Sequence, residues 1–149
     1  MKATYRLAGA DDAALILPMM SRFYAIDGYP MDESRSRKLL TEFVSNPVLG
    51  NIWIIETDQP VGYVILTLVF SFEFGGRIAF IDELYLNQEC RGQGIGRQTI
   101  GFIMEKAREM DVKMLYLEVE HHNVLAQKLY LSAGFETHHR KFMKHPLNK

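Results

Sequence analysis

The chain has 149 residues, 48% hydrophobic and 23% charged, with a formal net charge of −1. That length suits one domain, and the near-neutral charge argues against a general nucleic-acid binder or a charge-driven membrane binder. No apolar run reaches the roughly 20 residues that cross a bilayer, and the N-terminus lacks the apolar core of a signal peptide. With one cysteine no internal disulfide forms. We therefore expect a single domain over residues 1–149 in the cytoplasm, partnered by neither nucleic acid nor membrane.

The first half of the chain predicts a strand, two helices and then three strands. Residues 3–8 alternate as a strand does, and residues 15–26 and 32–46 repeat apolar side chains at helical spacing. Three segments rich in β-branched and aromatic residues follow, separated by the turn signals Asp58-Gln59-Pro60 and Gly75-Gly76. These three predicted strands are residues 51–57, 61–74 and 77–86.

The second half predicts a helix from about Ile95, a strand over 113–120, a helix over 123–134 and a last strand over 136–145. The predicted order is β-α-α-β-β-β-α-β-α-β. Strands interspersed with helices, without linker or repeat, indicate one α/β (α+β) domain. We expect a mixed twisted sheet of about six strands flanked by about four helices.

A glycine-rich stretch, Arg91-Gly-Gln-Gly-Ile-Gly-Arg97, joins the third of these strands to the next helix. Backbone N–H groups at a helix start have no intrahelical partner, and the helix dipole adds about half a positive charge there. Glycines let this backbone approach a bulky anion closely. Phosphate is the anion that such a strand–loop–helix junction favours.

Two common phosphate loops do not fit this stretch. A Rossmann turn needs a third glycine where this chain has Arg97 or Thr99, and a P-loop needs Lys followed by Ser or Thr after its second glycine. A plain reading also remains open, in which the three glycines serve only a tight turn. Arg91 and Arg97 would then be solvated surface charges.

The Arg-x-x-Gly-x-Gly pattern of this loop, preceded by an acidic pair and "LYL", resembles the cofactor motif of the GNAT superfamily of acetyl-CoA-dependent N-acetyltransferases. The predicted element order agrees with that family over nearly the whole chain. A second match follows about thirty residues later, in the pattern N-x-x-A-x-x-x-Y-x-x-x-G-F. Its residues are Asn123, Ala126, Tyr130, Gly134 and Phe135.

The resemblance implies that acetyl-CoA is the co-substrate, and we expect no metal. The loop amides would bind the coenzyme pyrophosphate, and the pantetheine arm would pair with the preceding strand as an added strand does. The expected coenzyme-binding residues are Leu84, Tyr85, Leu86, Arg91, Gly92, Gln93, Gly94, Ile95, Gly96, Arg97, Asn123, Ala126 and Tyr130. Asn123 is also a good helix N-cap, and the two roles are compatible.

The implied reaction is direct transfer of acetyl to an amine, with Asp82 and Glu83 jointly as base and Tyr130 as acid. In relatives that acetylate polyamines, an acidic pair at this place binds the amine and relays its proton through water. Because side chains alternate along a strand, only one of the pair enters a cleft directly, unless a β-bulge re-aims the other. The plain alternatives are strand-edge charges for the pair and a core aromatic for Tyr130.

The family's acceptor site is usually shaped by the first two helices and their link, which here is rich in tyrosine and carboxylate. Together with Asp82, Glu83 and Glu118, the carboxylates of this link would form an acidic funnel. An acidic funnel favours a cationic amine, so a polyamine, a diamine or a lysine-like acceptor is expected. A protein or peptide amine, and a non-catalytic acyl-CoA-binding module, are the alternatives. A homodimer is compatible with the family. The expected substrate-binding residues are Tyr24, Asp27, Tyr29, Asp82, Glu83 and Glu118.

Two adjacent histidine pairs, His121-His122 and His138-His139, do not predict a metal site. Neighbouring side chains on extended backbone diverge and make poor chelates. Cys90, beside Arg91, is expected to be an ordinary loop thiol.

Overall fold

The computed structural model describes residues 1–148, within which two units are distinguished, residues 1–118 and residues from 119 onward. The first unit contains five strands and three α-helices among these described residues, and the second contains one α-helix. In chain order they are β1 (Thr4–Leu7), α1 (Ala13–Ile26), α2 (Glu33–Val44), β2 (Gly50–Glu56), β3 (Pro60–Ser71), β4 (Gly76–Leu86), α3 (Ile95–Glu109), β5 (Leu115–Leu117) and α4 (Val124–Ser132).

The strands form one mixed sheet in the order β1-β2-β3-β4-β5. The first four strands pair antiparallel with their neighbours, whereas β5 pairs with β4 in parallel. Parallel neighbours need a crossover connection, and α3 supplies it between β4 and β5. The glycine-rich loop therefore lies between β4 and α3, after a short 3-10 turn at Gln88–Cys90, which is the strand–loop–helix order that the sequence predicts.

Both faces of the sheet are covered, which is clearest along β2. Ile52 and Ile54 pack with residues of α1 and α2 in one core cluster. On the opposite face, Ile55 packs in a cluster with Ile95 of α3, and the Trp53 ring lies 5.4 Å from the ring of Phe102. Residues 52–55 are thus buried in succession, and α1 and α2 lie on one face while α3 lies on the other.

The predicted order is confirmed through its first nine elements, and the fold class with it. The tenth, a strand over residues 136–145, is not formed in the described chain, where every residue from 136 to 148 is exposed. Four successive cationic or titratable residues, 138–141, leave this segment without an apolar face to bury. A strand that neither pairs nor buries one face is not stable by itself.

The turn between β3 and β4 is longer than the Gly75-Gly76 signal in the sequence suggests. Ser71 is paired with Gly76, so residues 72–75 form the turn. The prediction of one domain over residues 1–149 stays a prediction.

In the part of the chain that the structure describes, no helix is both long and apolar enough to cross a membrane.

Candidate active site

A β-bulge interrupts β4 at Asp82. Ile65 of β3 lies opposite Glu83, whereas the next residue, Leu66, lies opposite Ile81, so that Asp82 has no residue opposite it. Such a bulge breaks the alternation of side chains along a strand and re-aims one of them. Both carboxylates line the same cavity. Of the two arrangements that the sequence left open for this pair, the structure has the bulged one.

The cavity beside these carboxylates has a volume of about 260 Å³ and is lined by residues of α1, α2 and the strands β2, β3 and β4. Its wall is largely apolar, with Leu40, Phe43 and Ile52 among the residues that form it. Small-molecule sites are typically apolar clefts of roughly 300 Å³ or more with a few converging polar groups. Here the polar groups are Tyr24, Ser36, Glu42, Thr67, Asp82 and Glu83.

Glu83 is held by two tyrosine hydroxyls that come from different elements. The Tyr24 hydroxyl, on α1, donates to Glu83 Oε2 at 2.7 Å, and the Tyr63 hydroxyl, on β3, donates to Oε1 at 2.7 Å. Tyr63 is fully buried. Each carboxylate oxygen therefore has its own short hydrogen bond.

The surroundings of the acidic pair favour its protonated forms. Burial raises the pKa of the Glu83 carboxyl, the hydrogen bonds from Tyr24 and Tyr63 oppose that rise, and the Asp82 charge adds to it. Burial also raises the pKa of Asp82. A carboxylate whose pKa lies above its usual value takes a proton more readily, which suits a general base near neutral pH.

The two tyrosines stay protonated in the same environment. Burial first, and the neighbouring Glu83 second, raise the pKa of both the Tyr24 and the Tyr63 phenol well above the usual value. Each phenol therefore remains a hydrogen-bond donor throughout the neutral pH range.

The glycine-rich loop adopts a backbone that requires glycine at two of its positions. Gly92 has φ 77° and Gly94 has φ 84°, both in the left-handed region that residues with a side chain avoid. A Cβ built on either residue would meet no atom within 4 Å. Conformation and not packing therefore selects glycine here, and the space over the loop is open.

The loop ends in the N-terminus of α3, whose first turn is firmly anchored. Gly94 is the N-cap residue and has no side chain to accept from the first N–H groups. Ile95 is 1% exposed, so the helix start is fixed against the sheet while its N–H groups lie at the loop. On the other side, the Arg91 Nε donates to the carbonyl oxygen of Leu86 at 3.0 Å, and its guanidinium carbon lies 5.7 Å from the centre of the Tyr85 ring.

The end of β4 has one edge that β5 does not cover. The parallel pairing of β5 with β4 runs from Ala79 to Ile81, whereas β4 continues to Leu86 along β3. In the described chain the two parallel strands thus stop pairing just before the bulge. Residues 84–86, where the pantetheine arm is expected to pair, lie in this uncovered stretch.

In the second unit, the residues of the downstream motif are organised around α4. Asn123 is its N-cap, and the Asn123 side chain accepts a hydrogen bond from the Ala126 N–H at 3.1 Å. Tyr130 lies one turn after Ala126 and packs edge-on against Phe135, with ring centres 5.8 Å apart. Burial raises the pKa of the Tyr130 phenol, so that it stays protonated at neutral pH.

The structure gathers some of the predicted acceptor residues and not others. Tyr24, Asp82 and Glu83 line one cavity, but Asp27 and Tyr29 are not among the described residues that line it. Glu118 follows β5 and is exposed, and it does not line the cavity either.

Sequence reasoning missed Glu42, which lines the cavity, and Tyr63, which does not line it but donates to the Glu83 carboxylate. Tyr63 lies in the long apolar stretch of β3, and a buried phenol needs a hydrogen-bond partner, which was the available signal. Glu42 lies on α2 without any local pattern to distinguish it from a solvated helix residue.

The comparisons with known proteins agree with this geometry. The chain matches the model of the acetyltransferase (GNAT) family over residues 17–135. The uncharacterized N-acetyltransferase YhfO of Bacillus subtilis (strain 168) is 26% identical over 131 residues, which are 88% of each chain. The crystal structure of an integron cassette protein from the mobile metagenome of Cole Harbour Salt Marsh is 29% identical, with a TM-score of 0.87 over 97% of this chain and 91% of that one.

A solved structure from Clostridium acetobutylicum, described as a predicted acetyltransferase with acetyl-CoA, has a TM-score of 0.81. It is 18% identical and covers 97% of this chain and 96% of that one, which is a likeness of fold alone.

The family match includes the glycine-rich loop, both carboxylates of the β4 bulge and the downstream motif up to Phe135. The predicted family and the predicted enzyme class are thereby confirmed. The chain belongs to the GNAT family of acetyltransferases and is an acetyl-CoA-dependent N-acetyltransferase.

Proposed function

We propose that this enzyme transfers acetyl to the primary amine of a small cationic acceptor, with Glu83 as the base, Asp82 assisting it and Tyr130 as the acid. The observation that carries the proposal is the Glu83 carboxylate itself. It is partly buried, it lines the cavity, and burial raises its pKa. It also lies beside the uncovered end of β4, where the coenzyme arm is expected.

The proposed coenzyme site consists mainly of backbone groups. The open loop at Gly92 and Gly94, with Gln93 between them, and the N-terminus of α3 at Ile95, Gly96 and Arg97 suit a diphosphate anion. The uncovered edge at residues 84–86 offers backbone groups to an extended arm. Arg91, Asn123 and Ala126 remain expected contacts, with Asn123 serving as helix cap as well.

Acetyl-CoA supplies the acetyl group as a thioester, and the amine nitrogen bonds to its carbonyl carbon while the carbon–sulfur bond breaks. A lysine-like amine has a pKa of about 10.4 and is mostly protonated at pH 7, so a base has to take its proton. Glu83 takes it, directly or through one water. Tyr130 gives a proton to the leaving thiolate, whose thiol has a pKa of about 8.5.

The acceptor is proposed to be a polyamine, a diamine or a lysine-like amine that enters the cavity beside β4. Three carboxylates, Glu42, Asp82 and Glu83, line the cavity and attract a cation, and its apolar wall suits an aliphatic stem. Because the cavity is small, one extended amine chain fits it better than a folded protein surface does.

A thiol-release assay with acetyl-CoA and a panel of amines tests the proposal. The panel contains a diamine, a polyamine, free lysine, a neutral monoamine and a peptide with a free N-terminus. The highest kcat/KM is expected for the diamine or the polyamine. Faster turnover of the peptide would support the protein-amine alternative, and tight coenzyme binding without turnover of any amine would contradict catalysis.

A further inference from the structure

Tyr63 places one buried hydroxyl in a continuously buried stretch of β3. The residues around it in β3, from Val61 to Leu66, are buried in succession, and Tyr63 itself has no exposed surface. A buried phenol that lacked a partner would be destabilising. Its partner here is the Glu83 carboxylate at 2.7 Å.

Tyr24 makes the matching contact from the opposite layer. It donates to the second oxygen of the same carboxylate, also at 2.7 Å, and it comes from α1 and not from the sheet. Two donors on two elements fix both the position and the plane of the carboxylate. A single donor would leave it free to rotate.

We propose that Tyr63 and Tyr24 are positioning residues of the acetyl transfer, because their hydroxyls bind both oxygens of the Glu83 carboxylate and hold it in one orientation. This inference rests on the proposed function, in which Glu83 takes the proton of the amine. Neither phenol is required to exchange a proton with substrate in order to act in this way.

The charges around Glu83 show why it needs such support. Burial and the Asp82 carboxylate beside it both disfavour a negative charge at Glu83, whereas the two hydroxyl donors favour it. The titratable and charged groups that face Glu83 or its two partners come from every element packed there. They are Tyr24 of α1, Arg35 and Glu42 of α2, Tyr63 of β3, and Asp82 and Tyr85 of β4.

The two tyrosines differ in what else they touch. Tyr63 does not line the cavity, so it acts on the acceptor only through Glu83. Tyr24 does line the cavity, and its removal also changes the surface that an acceptor meets. Tyr63 is therefore the cleaner position for an experiment.

The test compares the pH dependence of kcat/KM in Tyr63→Phe with that in the wild type. Both profiles are recorded with the same amine, so the ionisation of the amine contributes equally to both. A hydrogen bond to a charged group is strong enough to move a pKa by about one to two units. In Tyr63→Phe, the acid limb of the profile is expected to move to higher pH by that amount, because the ionised Glu83 carboxylate loses a hydrogen-bond donor. Tyr5→Phe is the matched control, since its hydroxyl pairs with Thr99 at 3.0 Å, away from Glu83.

Tyr24→Phe is the second variant, and it decides the question if Tyr63→Phe does not fold. It is expected to move the acid limb in the same direction and to raise KM as well. A folded Tyr63→Phe, or failing that a folded Tyr24→Phe, whose acid limb coincides with that of the wild type would overturn the inference.

Glu83→Gln separates this inference from the function on which it rests. If Glu83→Gln keeps wild-type turnover, the base is misassigned and the proposed function fails first. If Glu83→Gln loses turnover while both tyrosine variants keep the wild-type profile, only the positioning role of the tyrosines is wrong.

Discussion

The loop after β4 and the cavity beside β4 are proposed to serve the two partners of one reaction, yet they are built from different parts of the chain. The loop is a continuous run, residues 91–97, and it presents backbone N–H groups at a helix start. The cavity is assembled from side chains of α1, α2, β2, β3 and β4.

The loop is therefore constrained by its backbone conformation, whereas the properties of the cavity are set by its side chains. Left-handed φ values at Gly92 and Gly94 fix the loop through conformation, so almost any side chain there is costly. The cavity instead depends on the side chains that these five elements carry. We therefore expect substitutions in the loop to remove coenzyme binding, and substitutions in the cavity to change rate or acceptor preference.

The largest effect is expected from Gly94→Glu. The substitution places a side chain on a residue with φ 84° and a carboxylate where phosphate is expected, so coenzyme binding should fall below detection in calorimetry. Gly101→Ala is the control, because Gly101 is exposed on α3 and an added Cβ meets no atom within 4 Å. Wild-type affinity in Gly94→Glu would mean that the coenzyme lies elsewhere.

A smaller effect, on rate and not on binding, is expected from Tyr130→Phe. Losing the proton donor should lower kcat about 100-fold, while the coenzyme dissociation constant changes much less. Stopped-flow thiol release and calorimetry on the same preparation measure the two quantities. Tyr5→Phe again serves as the control, and equal losses in rate and affinity would instead assign Tyr130 to coenzyme binding alone.

The smallest effect is expected from Glu42→Gln. Glu42 is exposed and lines the cavity, so its attraction for a second ammonium group is screened by water. The kcat/KM for a diamine should fall about two- to five-fold relative to that for a monoamine of equal length. Glu109→Gln, on α3, should leave this ratio unchanged, and a constant ratio in Glu42→Gln would remove Glu42 from the acceptor site.

The loop was predictable because its signal is local. Glycines at alternate positions between a strand and a helix indicate an approachable helix N-terminus, and the structure has Gly92 and Gly94 in conformations that need glycine. The nine-element order was predictable for the same reason, since each element carries its own periodicity.

The cavity was only partly predictable because its residues are far apart in the chain. Nothing in the local pattern links Tyr63 to Glu83, which are 20 positions apart in sequence and bonded at 2.7 Å. The bulge at Asp82 is a property of strand pairing, which a single strand's alternation does not reveal. The last predicted strand failed for a related reason, because its alternation had no apolar face to bury.

The measurement that tests the central claim most directly is acetyl transfer by Glu83→Gln at saturating acetyl-CoA, together with its coenzyme dissociation constant. Gln is nearly the same size as Glu but takes no proton at neutral pH. We predict a fall in kcat of about 100- to 10,000-fold, with wild-type coenzyme affinity. We also predict that the wild-type enzyme loses activity as the pH falls, through an apparent pKa above the usual glutamate value of about 4.3. Turnover by Glu83→Gln within two-fold of the wild type at neutral pH would contradict this role of Glu83.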